Sequence, residues 1–319
     1  MTFPIQADPT QTLWRYRELL DQGLSRQRIQ RLVACGDLRR LRKNCYVPEY
    51  HWASLSAMER LALQAEAHHH SLVGLPSTAM AYSHETAAVL HRLRLWKPGS
   101  KVHVTQPTRT SNASHGADVR NHSASFTDDD VVLLHGLPVT SLQQTAIDCA
   151  RTLSFDQALI IADQSLARGV SKASALERID LLGPVTGVGK AWDAVRAADA
   201  LSESPGETLT RSRLHRFRLP APQLQLDVPT RLGRYRLGRY RLDFGWPDLR
   251  VGLEFDGRVK YFDPTPTSEV LYQERRREKA LTEDGWTILR IEWADLFRET
   301  ELEARLRGTL HSAALRSAA

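Results

Sequence analysis

Four residues in one short stretch have the types and spacing to do chemistry. In "RLDFGWPDLRVGLEFDGRVKY", Arg241 to Tyr261, the acids Asp243, Glu254 and Asp256 interrupt two apolar runs, and Lys260 follows. Side chains alternate faces along a strand, so Glu254 and Asp256 share one face while Leu253 and Phe255 take the other. On the preceding strand Arg241 and Asp243 lie together, opposite Leu242 and Phe244. A turn centred near Asp248–Leu249 sets Asp243 across from Glu254, with Cβ atoms roughly 5 Å apart. Two carboxylates at that distance do not both ionise comfortably unless one takes a proton or a cation joins them. A hard divalent ion with oxygen ligands and retained waters, Mg2+ or Mn2+, suits such a pair. Ions of this kind hold phosphates, activate a water and stabilise a leaving oxygen. The same acids could instead pair with arginines such as Arg241 or Arg290, and spacing alone leaves both readings open.

The elements that must position these residues form a unit over 206–312. Its pattern predicts a helix at 207–218, strands at 223–228, 234–244 and 250–256, a loop, a helix at 269–284, a strand at 286–291 and a helix at 295–310. That is a mixed α/β sheet flanked by helices. Ser202, Ser204, Pro205 and Gly206 mark its entry, after a helical linker over 169–205. Within it "RLGRYRLGRY" is a tandem duplication that lengthens a basic hairpin and carries Arg234, Arg236 and Arg239. From Arg211 to Arg241 nine arginines and His215 face a single acid, Asp227. A patch this basic fits a polyanion such as nucleic acid.

A second basic cluster, Arg39, Arg40, Arg42 and Lys43, lies near the amino terminus. Residues 12–22 have helical spacing, and Ser25 caps a second helix closed by Gly36. The basic turn Arg42–Asn44 then joins two short apolar runs. Helix, turn, helix and basic hairpin make the layout of a winged helix-turn-helix over 1–50. Arg26, Gln27, Arg28, Gln30 and Arg31 become the groove-facing residues of the recognition helix, and Arg40, Arg42 and Lys43 the phosphate contacts of the wing.

Between these modules, 51–168 reads as a small α+β block. A long helix runs from about Ser56 to His70, and "SHETAAVLHRL" is a capped helix. "KVHVTQP", "ADVRNHS" and "DVVLLHGLPVTS" are short strands, and helices follow at 142–152 and 155–168. The triplet His68–His70 invites a metal, but three successive helical residues point in three directions. His84, Glu85 and His91 lack the H-E-x-x-H spacing of zinc proteases. No catalytic constellation is legible in this block.

The whole chain of 319 residues, 42% hydrophobic and 25% charged with a formal net charge of +6, has the composition of a soluble protein with a packed core. No apolar run is long enough for a membrane span, and the first ten residues lack the features of a secretory signal. Cys35, Cys45 and Cys149 are odd in number and lack metal spacing, so reduced cysteines in a cytoplasmic protein are expected.

Two resemblances add to this reading. Residues 202–310 resemble the PD-(D/E)XK nuclease superfamily. More narrowly, they resemble its DUF559 branch, related to very-short-patch-repair endonucleases. The resemblance rests on "ETLTRSRL" from Glu207, "YRLDF" with Asp243, "LEFDGRVKY" and "RRREKALTEDGWTILRIEWADL". It implies that Asp243 and Glu254 hold the metal, with the Phe255 carbonyl as a further ligand and Glu207 bound directly or through water. The superfamily lysine normally lies two residues after the glutamate. Here Asp256 stands there, so the resemblance implies a metal-shell role for Asp256 and a phosphate-facing role for Lys260. The stretch "GLSRQRIQRLVACGDLRRLRKNCYVP" resembles the winged-helix domain of abortive-infection, type IV (AbiEi-type) antitoxins. "SHETAAVLHRL" and "LPVTSLQQTAIDCAR" resemble the segments that accompany it. Asn44 stands where that family usually has Gly at the wing turn. This resemblance implies DNA binding, autoregulation and a cognate toxin as partner. Two functions are thereby expected: a Mg2+-dependent DNA endonuclease targeted by a winged helix, or a DNA-binding regulator of antitoxin type with an inactive nuclease-like domain.

Overall fold

The computed structural model describes residues 12–72, 80–107, 116–232, 235–257 and 278–318; between 230 and 239 the description is of backbone alone. Within these residues the chain is a multidomain α+β protein with three sheets. It divides into two compact units, 1–161 with 170–196, and 162–169 with 197–319. Among the described residues no helix is long and apolar enough to cross a membrane.

The first unit opens with β1 (Trp14–Arg15), α1 (Tyr16–Asp21), α2 (Arg26–Ala34), β2 (Leu38–Arg42) and β3 (Cys45–Pro48). The sheet order is β1-β3-β2, antiparallel throughout. The helix predicted over 12–22 is shorter than expected because Trp14 and Arg15 pair with Tyr46 and Cys45, which satisfies backbone groups of β3. Ser25 caps α2 by accepting from the Arg28 amide at 3.2 Å. Ile29 and Leu32 then turn into a core with Trp14, Leu19, Leu24 and Leu38. At the hairpin turn Asn44 takes a φ of 63°, a left-handed conformation that asparagine tolerates.

Next come α3 (Glu49–Ser54), α4 (Ala57–Leu72), β4 (Ala81–Tyr82), α5 (His84–Leu90), β5 (Val102–Gln106), β6 (Val119–Ser123), β7 (Val131–Leu134) and β8 (Leu137–Thr140). They form a mixed five-stranded sheet in the order β6-β5-β4-β8-β7. "DVVLLHGLPVTS", expected as one strand, is two. His135 at φ 51° and Gly136 at φ 80° make a two-residue turn of the type that follows the twist of a hairpin. The unit continues into α6 (Leu142–Thr152), α7 (Phe155–Ala167), α8 (Lys172–Leu181) and α9 (Val188–Ala197), where Ile147, Ala158, Ile179 and Ala191 share a core.

The second unit is built on α10 (Pro205–Arg216), β9 (Gln223–Leu232), β10 (Tyr235–Trp246), β11 (Val251–Asp256), β12 (Thr287–Glu292), α11 (Trp293–Leu296) and α12 (Glu299–Ala318). The sheet order is β12-β11-β10-β9, with β11 and β12 parallel and the other pairs antiparallel. The "SPGE" run that opens the unit is a helix start. Ser204 caps α10 and accepts from the Glu207 amide at 3.2 Å, with Pro205 in the first turn. Gly206 is required at its place, because a Cβ there would collide with the Phe255 ring. The start of α10 therefore lies directly on β11.

Candidate active site

Pairing arithmetic and the observed register agree. Phe244 pairs with Leu253, Gly245 with Gly252 and Trp246 with Val251, so one further step sets Asp243 across from Glu254. Asp243 Oδ2 accepts from the Phe255 amide at 2.8 Å, which fixes its orientation between the strands. Glu207, held close by the contact of Gly206 with Phe255, is 8% exposed. Its Oε2 accepts from the Glu203 amide at 2.9 Å and from Gln225 Nε2 at 3.0 Å. Among the described residues no cation pairs with Asp243 or Glu207. Arg241, the neighbour that sequence spacing offered, turns to Glu203 instead, at 2.8 Å.

Glu254 is held differently. Tyr240 donates its hydroxyl to Oε1 at 2.6 Å, and Arg290 Nε lies 3.3 Å from Oε2. Parallel pairing of β11 with β12 puts Arg290 directly beside Glu254. The arginine-pairing alternative therefore holds for Glu254 and not for Asp243. Asp256 ends β11 in register with Glu292. Lys260, Arg234 and the side chains of Arg236 and Arg239 lie outside the described residues, as does the larger part of the helix expected at 269–284.

Burial, followed by the charges of Glu207, Glu254 and Glu203, pushes Asp243 up to about 6, although the Phe255 amide works the other way. Burial likewise raises Glu207. An aspartate whose folded pKa exceeds its unfolded value of about 3.9 binds its proton more tightly when folded. Its stabilising contribution is present below the unfolded pKa and is lost as pH rises through about 6. Asp243→Asn cannot ionise. In metal-free buffer it should melt above the wild type at about pH 7.5 and close to it at about pH 4. Thermal melts at the two pH values check this, and a variant no more stable at the higher pH contradicts it.

A carboxylate set of this kind fits a small divalent ion that uses one or two protein oxygens and keeps its waters. It does not fit an all-protein cage. Among the described residues only one set of three or more ligand-type side chains comes within mutual coordination distance, and it lies elsewhere: His84, His103 and His122.

In the first unit Arg26, Gln27, Arg28, Gln30 and Arg31 are all exposed on α2, on the side away from Ile29 and Leu32. A cleft of about 460 Å³ separates this face from the hairpin; Arg26, Gln30, Arg40, Asn44 and the tyrosines Tyr16 and Tyr46 line it. Arg40 and Lys43 are exposed. Arg42 differs from the sequence expectation, because its guanidinium pairs with Asp118 at 2.7 Å and its side chain is only 15% exposed. Arg39 is likewise engaged, bridging Glu49 at 2.7 and 2.8 Å.

No protein-family profile matches the chain. It is 31% identical over 177 residues to the uncharacterized proteins MT2308 and Rv2248 of Mycobacterium tuberculosis, from strains CDC 1551 / Oshkosh and H37Rv. The match covers 54% of this chain and 61% of the length of each relative. Among solved structures it is similar to the RV2827C protein of Mycobacterium tuberculosis at a TM-score of 0.40 and 13% identity, covering 63% of this chain and 75% of that one.

The histidine trio escaped the sequence reading. In the sequence His84 has near neighbours of ligand type only in Glu85 and His91, and His103 and His122 sit in separate strand patterns. They meet because β5 and β6 are parallel and Thr105 pairs with His122. A parallel register between two short strands leaves no mark in local spacing. The triplet at 68–70 does diverge: His68 bonds Tyr82 at 2.9 Å and His70 meets Arg15 at 2.9 Å.

Proposed function

We propose that the chain is a metal-dependent DNA endonuclease. Its cleavage centre is Asp243, Glu254 and Glu207, and the exposed face of α2 with the β2–β3 hairpin docks on duplex DNA as a winged helix. One observation carries the reading: two largely buried carboxylates, Asp243 and Glu207, sit together without a cationic partner among the described residues. A purely structural aspartate in such a place would be expected to have an arginine.

Asp243 and Glu254 would hold Mg2+ or Mn2+, with Glu207 bound directly or through water. When bound, such an ion orients phosphate, lowers the pKa of water and stabilises the leaving oxygen. The chain's own residues prepare the site. The Phe255 amide fixes one oxygen of Asp243, and Tyr240 and Arg290 fix the plane of Glu254. Asp256 and Lys260 are the proposed contributors nearest the scissile phosphate. Arg234, Arg236 and Arg239 are the proposed phosphate contacts of the basic hairpin. The experiment is nicking of supercoiled plasmid with Mg2+, with Mn2+ and with chelator.

A second reading, a DNA-binding regulator of antitoxin type acting with a cognate toxin, draws on one observation. Both oxygens of Glu254 already have protein partners. It predicts salt-sensitive, sequence-selective binding in a gel shift while the DNA stays intact in Mg2+. Either way, Arg28→Ala is expected to weaken DNA binding and lower the salt slope by about 1. Arg42→Ala is expected to change the slope less, because Arg42 is neutralised by Asp118. Salt titrations of both variants check the order, and a larger slope change in Arg42→Ala reverses the assignment.

A further inference from the structure

Three histidines far apart in sequence converge in the first unit. His84 opens α5, His103 lies on β5 and His122 on β6, and one ring nitrogen from each falls within 4.8 Å of the others. His122 Nε2 is 3.1 Å from His103 Nδ1, and the rings of His84 and His122 stack at 3.6 Å. We propose that His84, His103 and His122 form a binding site for one transition-metal ion of the Zn2+ class, with a water or further ligand completing a tetrahedron.

Ligand type comes first. Three imidazoles select borderline ions such as Zn2+ over the hard ions that carboxylates take. Tetrahedral Zn–N bonds of about 2.0–2.1 Å place ligand nitrogens roughly 3.4 Å apart. The His103 and His122 nitrogens lie 3.1 Å apart, sharing a hydrogen bond whose proton an ion would displace. The rings of His84 and His122 stack nearly parallel, so one must turn about its side-chain bonds for both lone pairs to point at one ion.

The surroundings orient each ring. His84 Nδ1 lies 2.9 Å from Ser83 Oγ, which also accepts from the Thr105 hydroxyl at 2.8 Å. With Nδ1–H donating to Ser83, His84 keeps its Nε2 lone pair for the ion. His103 turns Nε2 toward Glu85, 3.9 Å from Oε2, which leaves Nδ1 facing His122. At 3.9 Å the carboxylate is beyond hydrogen-bond reach, and a small shift of Glu85 would let it accept from Nε2–H, the partner that orients a ligating histidine. Glu85 is itself anchored by the Gly99 amide at 2.8 Å. His84 is held in the left-handed region at φ 51°, a conformation that side chains rarely adopt and that aims its ring at the cluster. Burial pushes His103 down to about 4 and His122 to about 3, so both keep a neutral ring at neutral pH. Arg120, Arg151 and Lys101, which also lower these histidines, oppose a cation, and Glu85 offsets part of that charge.

The alternative is a neutral histidine cluster that only packs. To separate the two, the purified full chain is stripped with chelator and titrated with Zn2+ alone, with metal content, melting temperature and calorimetric affinity as readouts. Co2+ substitution adds a visible spectrum diagnostic of tetrahedral coordination. One Zn2+ per chain is expected, with a rise in melting temperature. His122→Gln and Glu85→Gln should each bind at least about 10-fold more weakly. Should His122→Gln fail to fold, as judged by circular dichroism, Glu85→Gln and the wild-type Co2+ spectrum still decide. The proposal is overturned if the wild type neither retains Zn2+ at micromolar free metal nor shifts in melting temperature. Unchanged affinity in the folded variants overturns it equally. None of these readouts depends on nuclease activity, so they fail or succeed independently of the cleavage centre.

Discussion

Asp243→Ala is expected to lose Mg2+-dependent plasmid nicking by at least about 100-fold, a loss at or beyond the upper end for residues that merely support a metal ligand. The fold should survive, because the side chain makes one described hydrogen bond, to the Phe255 amide, and carries an unfavourable charge. DNA affinity should survive too, because α2 and the basic hairpin are untouched. The combination of lost cleavage, retained binding and unchanged or raised melting temperature identifies a residue kept for chemistry against its own stability. Glu254→Ala should lose cleavage as well, but with some loss of stability. Its removal strands Tyr240, whose hydroxyl burial has already made harder to ionise, and takes from Arg290 one of its carboxylates, leaving it Glu278. Equal nicking by the wild type and both variants would remove the endonuclease reading and leave the regulator.

The largest expected stability effect lies in the second unit at Asp163, which is fully buried. Its carboxylate accepts from Arg211 Nη2 at 2.7 Å on both oxygens, from the Thr208 hydroxyl at 2.7 Å and from the Asp199 amide at 2.8 Å. Burial raises its pKa, and these partners, Arg211 foremost, offset only part of the rise. Removing one member of a buried ion pair costs about 3–5 kcal/mol, because the other charge stays buried without compensation. Asp163→Ala leaves Arg211, only 17% exposed, in that position, so a loss of this order is expected. Asp163→Asn keeps one oxygen to accept from the Asp199 amide, and its NH2 can donate to the Thr208 hydroxyl, so it should lose less. Urea unfolding of the two variants tests both statements; a loss below about 1 kcal/mol for the alanine would show that water or Ser202 replaces the carboxylate.

Elements with a strong local signal were legible in the sequence. The cap at Ser25, the helix at 142–152, and the strand order around the Trp-Pro-Asp turn follow from neighbours a few residues apart. The register of Asp243 against Glu254 was legible for the same reason, since a short hairpin fixes its own pairing. What failed was set at a distance. Trp14 and Arg15 read as helix because the apolar spacing is helical, yet the open edge of β3 takes them as a strand. Arg42 read as a phosphate contact, and no local pattern reveals that Asp118 will neutralise it. His103 meeting His122 arises from parallel pairing between separate strands, and the same kind of pairing decided for Glu254 what spacing had left open, its arginine partner Arg290.

Tyr82 occupies an unusual position in the five-stranded sheet. β4 has only two residues, and Tyr82 alone joins its two sides, pairing with Val104 on one and Val139 on the other. The sheet is in effect two ribbons, β5–β6 and β7–β8, zipped by one tyrosine. Closing that seam brings together residues far apart in sequence, and such long loops lose entropy before their contacts repay it. Ser83 and His84 follow Tyr82 directly, so the third imidazole is in place only when β4 is paired. An ion held by all three would bind the zipped sheet and not the open one, and would act as a clasp on its weakest join.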